Sequence, residues 1–144
     1  VILHAINEIP NYDIVLVLQP TSPLRTVYDI DYVLEFFIHT KAPVCVSISE
    51  VKKTPHWMFY LKQDNNLVPV IEREQRITRR QDLPKTFLPN GALFVGYVTY
   101  LREQKTFYTQ QTAGFLMPKE RSFDIDEEED FIYCENIIEN LNSK

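Results

Sequence analysis

Glycine is scarce in this sequence, with three among 144 residues. That excludes a Gly-rich loop that cradles phosphates, because such loops need several positions where the backbone approaches the ligand without a Cβ. A Gly-x-Ser-x-Gly nucleophile elbow is absent for the same reason. Cysteine is scarcer still. Cys45 sits in an apolar, strand-like run and Cys134 in a helix-like run, which reads as two buried reduced thiols and excludes a disulfide framework. No apolar run is long enough to span a membrane. Val1 opens without a basic n-region, and His4, Asn7 and Glu8 interrupt the first apolar run, so no signal peptide is expected and a cytoplasmic location is the default. An excess of basic charge is missing too. The formal net charge of -5 argues against a nucleic-acid partner. It leaves room for a phosphate-bearing substrate held by a few Arg or Lys residues, or by a metal on carboxylates. His4 and His39 fall on helical patterns and His56 follows a proline; none has a second ligand at metal spacing.

What is present is ordinary for a globular domain: 44% hydrophobic and 24% charged residues. The length fits one domain, residues 1–144, without internal repeats. The chain enters directly on Val1-Ile2-Leu3 without a Met, which reads as the middle of a longer protein.

Ile2, Ala5, Ile6 and Ile9 are spaced as the end of an amphipathic helix. Ile14 to Leu18 is a continuous apolar, β-branched run that suits a central parallel strand. A loop follows, Gln19-Pro20-Thr21-Ser22-Pro23-Leu24-Arg25. Thr26 then starts a helix with Asp29 as its capping-box partner, and Ile30, Val33, Leu34, Phe37 and Ile38 form its apolar stripe. Val44 to Ile48 is a second strand, completing a βαβ unit. From Pro55 the character changes. Trp57 to Lys62 and Leu67 to Ile71 flank a turn at 63–66, and residues 72–86 are polar and basic. Residues 55–86 read as an arm extending from the main sheet. Asn90-Gly91 is a turn signal before a strand over Ala92 to Val98. A short helix over 99–104 and a strand at Gly114 to Met117 follow. Glu127 to Asn142 is a closing helix with Phe131, Cys134, Ile138 and Leu141 on one face, Asp126 as cap and Glu129 as box partner.

Three groupings can carry chemistry. The Gln19–Arg25 loop leaves the carboxyl end of a buried strand, where open α/β sheets bind ligands. Its Gln19 amide can donate and accept, and Thr21, Ser22 and Arg25 either face a ligand or hold the turn. In Ser122-Phe123-Asp124-Ile125-Asp126, extended backbone points Asp124 and Asp126 the same way. The two can share a hard cation such as Mg²⁺, which takes one or two carboxylates with water and substrate phosphates completing its shell. The acids from Asp126 to Asp130 are also explained by the dipole of a helix start, but Asp124 lies outside that helix. The third grouping is Arg79-Arg80 before Pro89-Asn90-Gly91. It is either a solvated basic loop or an anion grip.

Taken together, Leu18-Gln19-Pro20-Thr21-Ser22-Pro23-Leu24-Arg25, Arg80-Gln81-x-Leu83-Pro84, Pro89-Asn90-Gly91-Ala92 and Ser122-x-Asp124-Ile125-Asp126 resemble the acylneuraminate cytidylyltransferases, in the order found in that family. The resemblance runs from about the first helix to the last. It implies a Rossmann-like α/β fold with a mixed, mostly parallel sheet, flanking helices and a projecting dimerisation arm. The implied reaction joins CTP and a nine-carbon 2-keto sugar acid into a CMP-sugar, with release of pyrophosphate. The anomeric hydroxyl attacks the α-phosphate, and Mg²⁺ offsets phosphate charge. By position, Asp124 and Asp126 resemble the metal-binding pair, one of them helping to deprotonate the attacking hydroxyl. Gln19 resembles a sugar contact, and Arg80 an arginine that reaches the partner subunit's site in a homodimer. Asn90 follows the family's Pro-Asn-Gly motif. Phe107 and Tyr108 fall where relatives carry an aromatic pair near the sugar's acyl group.

The family's basic, Gly- and Ser-containing nucleotide loop is not found in the chain. The expectation is therefore a C-terminal portion of the enzyme that does not catalyse alone. Leu88 stands where sialic acid enzymes tend to carry Arg, and Trp57 where some carry Lys, which points towards a legionaminic or pseudaminic type of sugar. The alternatives are a 3-deoxy-manno-octulosonate cytidylyltransferase and a non-catalytic dimerisation or sugar-binding module.

Overall fold

A computed structural model describes residues 1–9, 11–72, 79 and 82–142. The chain divides into two compact units: Val1–Ser49 with Pro89–Lys144, and Glu50–Leu88.

The first unit is built on a four-stranded sheet in the order β1-β5-β2-β6. Strand β1 is Ile14–Leu18, β2 is Val44–Glu50, β5 is Phe87–Tyr97 and β6 is Thr112–Leu116. β1 pairs antiparallel with β5, Ile14 opposite Tyr97 and Leu18 opposite Leu93, while β2 pairs parallel with β6, Val44 opposite Thr112 and Ile48 opposite Leu116. The Tyr97 N–H reaches Pro43 O just before β2, and the Leu93 N–H reaches the Ser47 hydroxyl inside it. Residue numbers thus run in opposite senses along β5 and β2. Strands β1, β2 and β6 point one way, and β5 runs against them from the middle of the sheet. The fold is mixed α/β with a largely parallel sheet and flanking helices.

Alternation of side chains across the pleat gives each face its own core. On one face, α2 (Val27–Thr40) lays Val33 and Phe37 against Cys45, Leu93, Val95 and Met117, all 4% exposed or less. On the other, α1 (Ile2–Glu8) and α3 (Val98–Gln104) bury Ile6, Val98 and Leu101 against Val44. Arg102 Nη2 donates to Ile6 O at 3.2 Å and ties these two helices. Gly96 is required here, because a Cβ would stand 2.9 Å from both Leu101 Cδ1 and Val44 Cγ1. Burial pushes the Cys45 thiol up to about 11 and also raises Cys134, so both thiols are chemically quiet.

The start of α2 follows its local code. Thr26 Oγ1 accepts from the Asp29 N–H, and Asp29 Oδ2 accepts from the Thr26 N–H at 2.9 Å. Of the expected stripe, Ile38 is 61% exposed, because the turn beside it is covered by nothing from the sheet. Lys41 ends the helix in the left-handed region at φ 56°.

Three expectations fail. Ile14–Leu18 is not the central parallel strand that its apolar run suggests: β1 stands at one end of the described sheet and pairs antiparallel with β5. Asn90-Gly91 is not a turn: β5 passes straight through it, with Gly91 at φ 75° inside the strand. The closing helix α4 (Glu128–Asn142) is capped by Asp130, whose Oδ2 accepts from the Asp126 N–H at 3.1 Å and the Glu127 N–H at 3.0 Å. Neither Asp126 nor Glu129 supplies that cap. One face of α4 buries Cys134, but Phe131 and Leu141 on that face are 54% and 68% exposed.

In the second unit, β3 (Phe59–Leu61) and β4 (Leu67–Pro69) form an antiparallel hairpin. Its turn holds Asn65 at φ 62°, and Asp64 accepts from the Asn66 N–H and side-chain amide. Tyr60, Leu61 and Leu67 are each more than 60% exposed. Arg80 and residues 73–78 lie outside the described residues.

A long-range ion pair fixes the first unit. Asp29, 2% exposed, accepts Arg121 Nε on Oδ2 and Arg121 Nη2 on Oδ1, both at 2.8 Å. Burial alone would raise the Asp29 carboxyl, but the bonds from Arg121 and Thr26 outweigh it and hold the group below its usual range. A carboxyl depressed in the folded state adds stability above its unfolded value, and that stability is lost as pH falls through the folded value. Asp29→Ala should destabilise the chain by about 2 to 4 kcal/mol at pH 7. The gap between variant and parent should narrow below about pH 4, as the parent's carboxyl takes up its proton. Urea unfolding at a series of pH values reads both; a gap that widened in acid would contradict the assignment.

Candidate active site

The carboxyl ends of β1, β2 and β6 lie at one edge of the sheet, and three segments leave them. The Gln19–Arg25 loop follows β1, the 117–126 segment follows β6, and the Asn90-Gly91 stretch of β5 runs between them. Chain direction alone thus brings two of the sequence-derived groupings to one place.

The Gln19 loop is pinned from within. Arg25 Nη1 donates to Ala92 O at 2.8 Å and to Gln19 O at 3.2 Å. The guanidinium is therefore spent on backbone, and burial depresses it despite the neighbouring Asp29. The Ser22 N–H closes a turn onto Gln19 O at 3.3 Å, and Ser22 is fully buried with an Oγ that has no hydrogen-bond partner among the described residues. Leu24 fills the core at 7% exposure. Of the two readings left open for Thr21, Ser22 and Arg25, the geometry supports holding the turn for Arg25, and for Thr21 through its backbone.

The 122–126 segment docks on that loop. The Ile125 N–H donates to Thr21 O at 2.8 Å. Phe123 packs on Tyr133 of α4 with ring centroids 4.6 Å apart, and Ile125 shares a groove with Pro20, Pro23 and Cys134. With these two residues turned to α4, Asp124 turns towards Gly91. Asp126 is exposed. Asp124 is half-buried, and its Oδ1 is a buried oxygen without a partner among the described residues.

Asp124 and Gln19 meet over Gly91. A Cβ built there would stand 2.6 Å from Asp124 Oδ2 and 2.8 Å from Gln19 Oε1. Only a residue without a side chain, able to hold φ 75°, lets the amide and the carboxylate converge on this strand. Sequence reasoning gave Gly91 a turn and missed this role.

Asn90 is the buried neighbour, 6% exposed. Its Oδ1 accepts from the Ser47 hydroxyl and from the Ala92 N–H, and its Nδ2 donates to Ser122 Oγ at 2.8 Å and lies 3.5 Å from Met117 Sδ. The amide is committed within the protein and joins β2, β5 and the Asp124 segment. Phe107 and Tyr108 pack around Phe94, at centroid distances of 5.4 and 6.4 Å, with Tyr108 56% exposed. The structure therefore brings Gln19, Asp124 and Asn90 together, puts Asp126 two residues on, and places the aromatic pair on Phe94 of the same strand as Gly91. Trp57 and Leu88 belong to the second unit. No cluster of three or more metal-ligating side chains occurs among the described residues. No helix among them is long and apolar enough to cross a membrane.

Gly91→Ala should lower stability by about 1 to 2 kcal/mol, from the left-handed backbone alone. It should also push the Asp124 carboxylate or the Gln19 amide aside, which a crystal structure of the variant would show. Retention of both side chains in place would contradict the proposed close approach.

No family profile matches the chain. Individual proteins do. It is 39% identical over 124 residues to an N-acylneuraminate cytidylyltransferase of Streptococcus agalactiae serotype V, covering 85% of this chain and 29% of the relative. It is 30% identical over 130 residues to a CMP-N,N'-diacetyllegionaminic acid synthase of Legionella pneumophila, covering 89% of this chain and 55% of that protein. A pseudaminic acid cytidylyltransferase of Campylobacter jejuni is 27% identical over 133 residues, again 92% of this chain and 56% of the other. The chain thus spans between about a third and about a half of the curated relatives it matches. Among solved structures, the 4-diphosphocytidyl-2C-methyl-D-erythritol synthase of Anaerococcus prevotii superposes with a TM-score of 0.57 at 11% identity, over 95% of this chain and 63% of that one. That likeness shows a shared α/β fold. Over 85% to 92% of its length the chain is thus similar to curated N-acylneuraminate and pseudaminic acid cytidylyltransferases and to a CMP-N,N'-diacetyllegionaminic acid synthase, and it corresponds to a part of each.

Proposed function

We propose that this chain carries the sugar side and the metal side of a cytidylyltransferase site. The reaction moves CMP from CTP to the anomeric hydroxyl of a nonulosonic acid and releases pyrophosphate. The observation that carries this reading is the convergence of Gln19 and Asp124 over Gly91, with one carboxylate oxygen buried and unbonded. A buried carboxylate oxygen without a donor is costly, and it calls for a ligand, a proton or an ion.

The donor set fits Mg²⁺. Two carboxylates, Asp124 and Asp126, leave the remaining positions to water and phosphate oxygens, as that ion prefers. Bound there, Mg²⁺ would offset the charge on the phosphates of CTP. The chain's own residues supply the rest. Asp124 accepts the proton of the attacking hydroxyl through its free oxygen. Gln19, whose backbone is held by Arg25, presents its amide to the sugar. Phe107 and Tyr108 offer an aromatic surface to the acyl substituent. Asn90, with its amide already engaged, serves the sugar site by fixing Gly91 and Ser122. Arg80 is assigned to the site of a partner subunit. The exposed apolar hairpin of the second unit supports a homodimer, since an isolated two-stranded hairpin is marginal in water.

In the whole protein that carries this chain, pyrophosphate release from CTP should require both Mg²⁺ and a nonulosonic acid. Asp124→Asn should reduce kcat at least about 100-fold while the protein stays folded. A panel of sialic, legionaminic and pseudaminic acids identifies the sugar by kcat/KM. An unaltered rate in Asp124→Asn would overturn the carboxylate assignment, and no turnover with any nine-carbon acid would favour a binding module. Tyr60→Lys with Leu61→Lys should shift sedimentation from dimer to monomer; a monomeric parent would overturn the dimer.

A further inference from the structure

We propose that Arg121 is the positioning residue for Asp124, acting through its bidentate pair with Asp29. This rests on the reading of Asp124 given above. Arg121 closes the 3₁₀ turn Lys119–Arg121, three residues before Asp124. Its guanidinium makes two parallel 2.8 Å bonds to a carboxylate that is itself fixed by the Thr26 N–H and hydroxyl. Asp29 is thus a rigid anchor at the first turn of α2, directly after the Gln19 loop. The segment then has three ties in five residues. Arg121 holds α2, Ser122 Oγ accepts from Asn90 of β5, and the Ile125 N–H reaches Thr21 O of the Gln19 loop. Asp124 lies between the last two ties, and among the described residues its Oδ1 has no hydrogen-bond partner. Its place over Gly91 is therefore set by its neighbours and not by its own contacts.

Among the three ties, the Arg121 pair has the most to lose. It is charge-assisted and forked, so both the direction and the position of the chain are fixed at once. A lysine keeps the charge but not the fork. Asp29 is buried, whereas the Arg121 side chain is 36% exposed. Replacing the arginine therefore leaves the core packing of α2 in place, and the effect should be local. Remote misplacement of about 1 Å at a reacting group can reduce turnover about 100-fold.

The test uses Arg121→Lys and Arg121→Ala in the whole protein, with hydrogen exchange read by peptide and turnover measured in parallel. The expected result is a circular dichroism spectrum like the parent's and exchange over residues 122–125 faster by about tenfold or more. The β5 and α3 peptides should be unchanged. Turnover should fall about 10- to 100-fold in kcat, with the KM for CTP retained and Arg121→Lys milder than Arg121→Ala. Unaltered exchange over 122–125 in a folded variant would overturn the proposal. So would exchange that rises equally across the whole sheet, or a local rise without loss of kcat. If Arg121→Ala fails to fold, Arg121→Lys decides by the same readings. A parent without any turnover would refute the cytidylyltransferase reading, while the exchange data would still decide whether Arg121 orders the segment.

Discussion

The amide of Asn90 is the interaction on which the edge of this sheet depends. A buried side-chain amide must satisfy an acceptor and two donors or bear their desolvation. Here Ser47 and the Ala92 N–H meet the oxygen, and Ser122 and Met117 meet the nitrogen. The partners lie on three pieces of chain: β2, β5 itself and the 117–126 segment. Because the amide loops back to the N–H two residues on, Gly91 is pulled into a left-handed conformation while the strand continues. That single distortion turns a stretch of regular β5 into a surface on which a carboxylate and an amide can sit together. Replacing Asn90 by an apolar residue would take a partner from Ser47, Ser122 and the Ala92 N–H at once, which is why a polar network of this kind is secure only when complete.

The same residue shows where sequence reading stops. Asn90-Gly91 is a hairpin signal in local terms, and the local term was all that the sequence displayed. The competing constraint came from Ser47 and Ser122, 43 and 32 residues away. By contrast, the capping box at Thr26 and Asp29 was legible because its partners lie three residues apart. The other half of Asp29's work, holding Arg121 across 92 residues, was not. The order of strands and helices was readable from periodicity and turn residues. The antiparallel run of β5 through the middle of the sheet was not, since one short strand reads alike in either direction. At α4, a run of acids offered several caps of equal merit, and only the geometry selects Asp130.

Position in the sheet explains why so few residues suffice for a site. The parallel strands β1, β2 and β6 deliver their loops to one edge, so Gln19 and Asp124 need no long excursion to meet. Arg25 adds rigidity by spending its guanidinium on two carbonyls, Gln19 O and Ala92 O, which lie on the two segments that must keep their spacing. The loop is thereby preorganised by backbone bonds, and the Gln19 side chain turns over Gly91. Preorganisation of this sort is what makes electrostatic and positional effects useful at a reacting centre.

Two carboxylates in the first unit are treated in opposite ways, and the contrast separates structure from chemistry. Asp29 receives four donors: the Thr26 N–H and hydroxyl, and two nitrogens of Arg121. Its charge is fully answered inside the protein, so it can only hold things in place. Asp124 is brought to within van der Waals reach of Gly91, tied on either side through Ser122 and Ile125, and left with an oxygen that no group among the described residues answers. Folding supplies the donors for one acid and withholds them from the other. On the proposed reading an acid so placed binds an ion or accepts a proton, and the saturated Asp29, distant in sequence and acting through Arg121, keeps it in position.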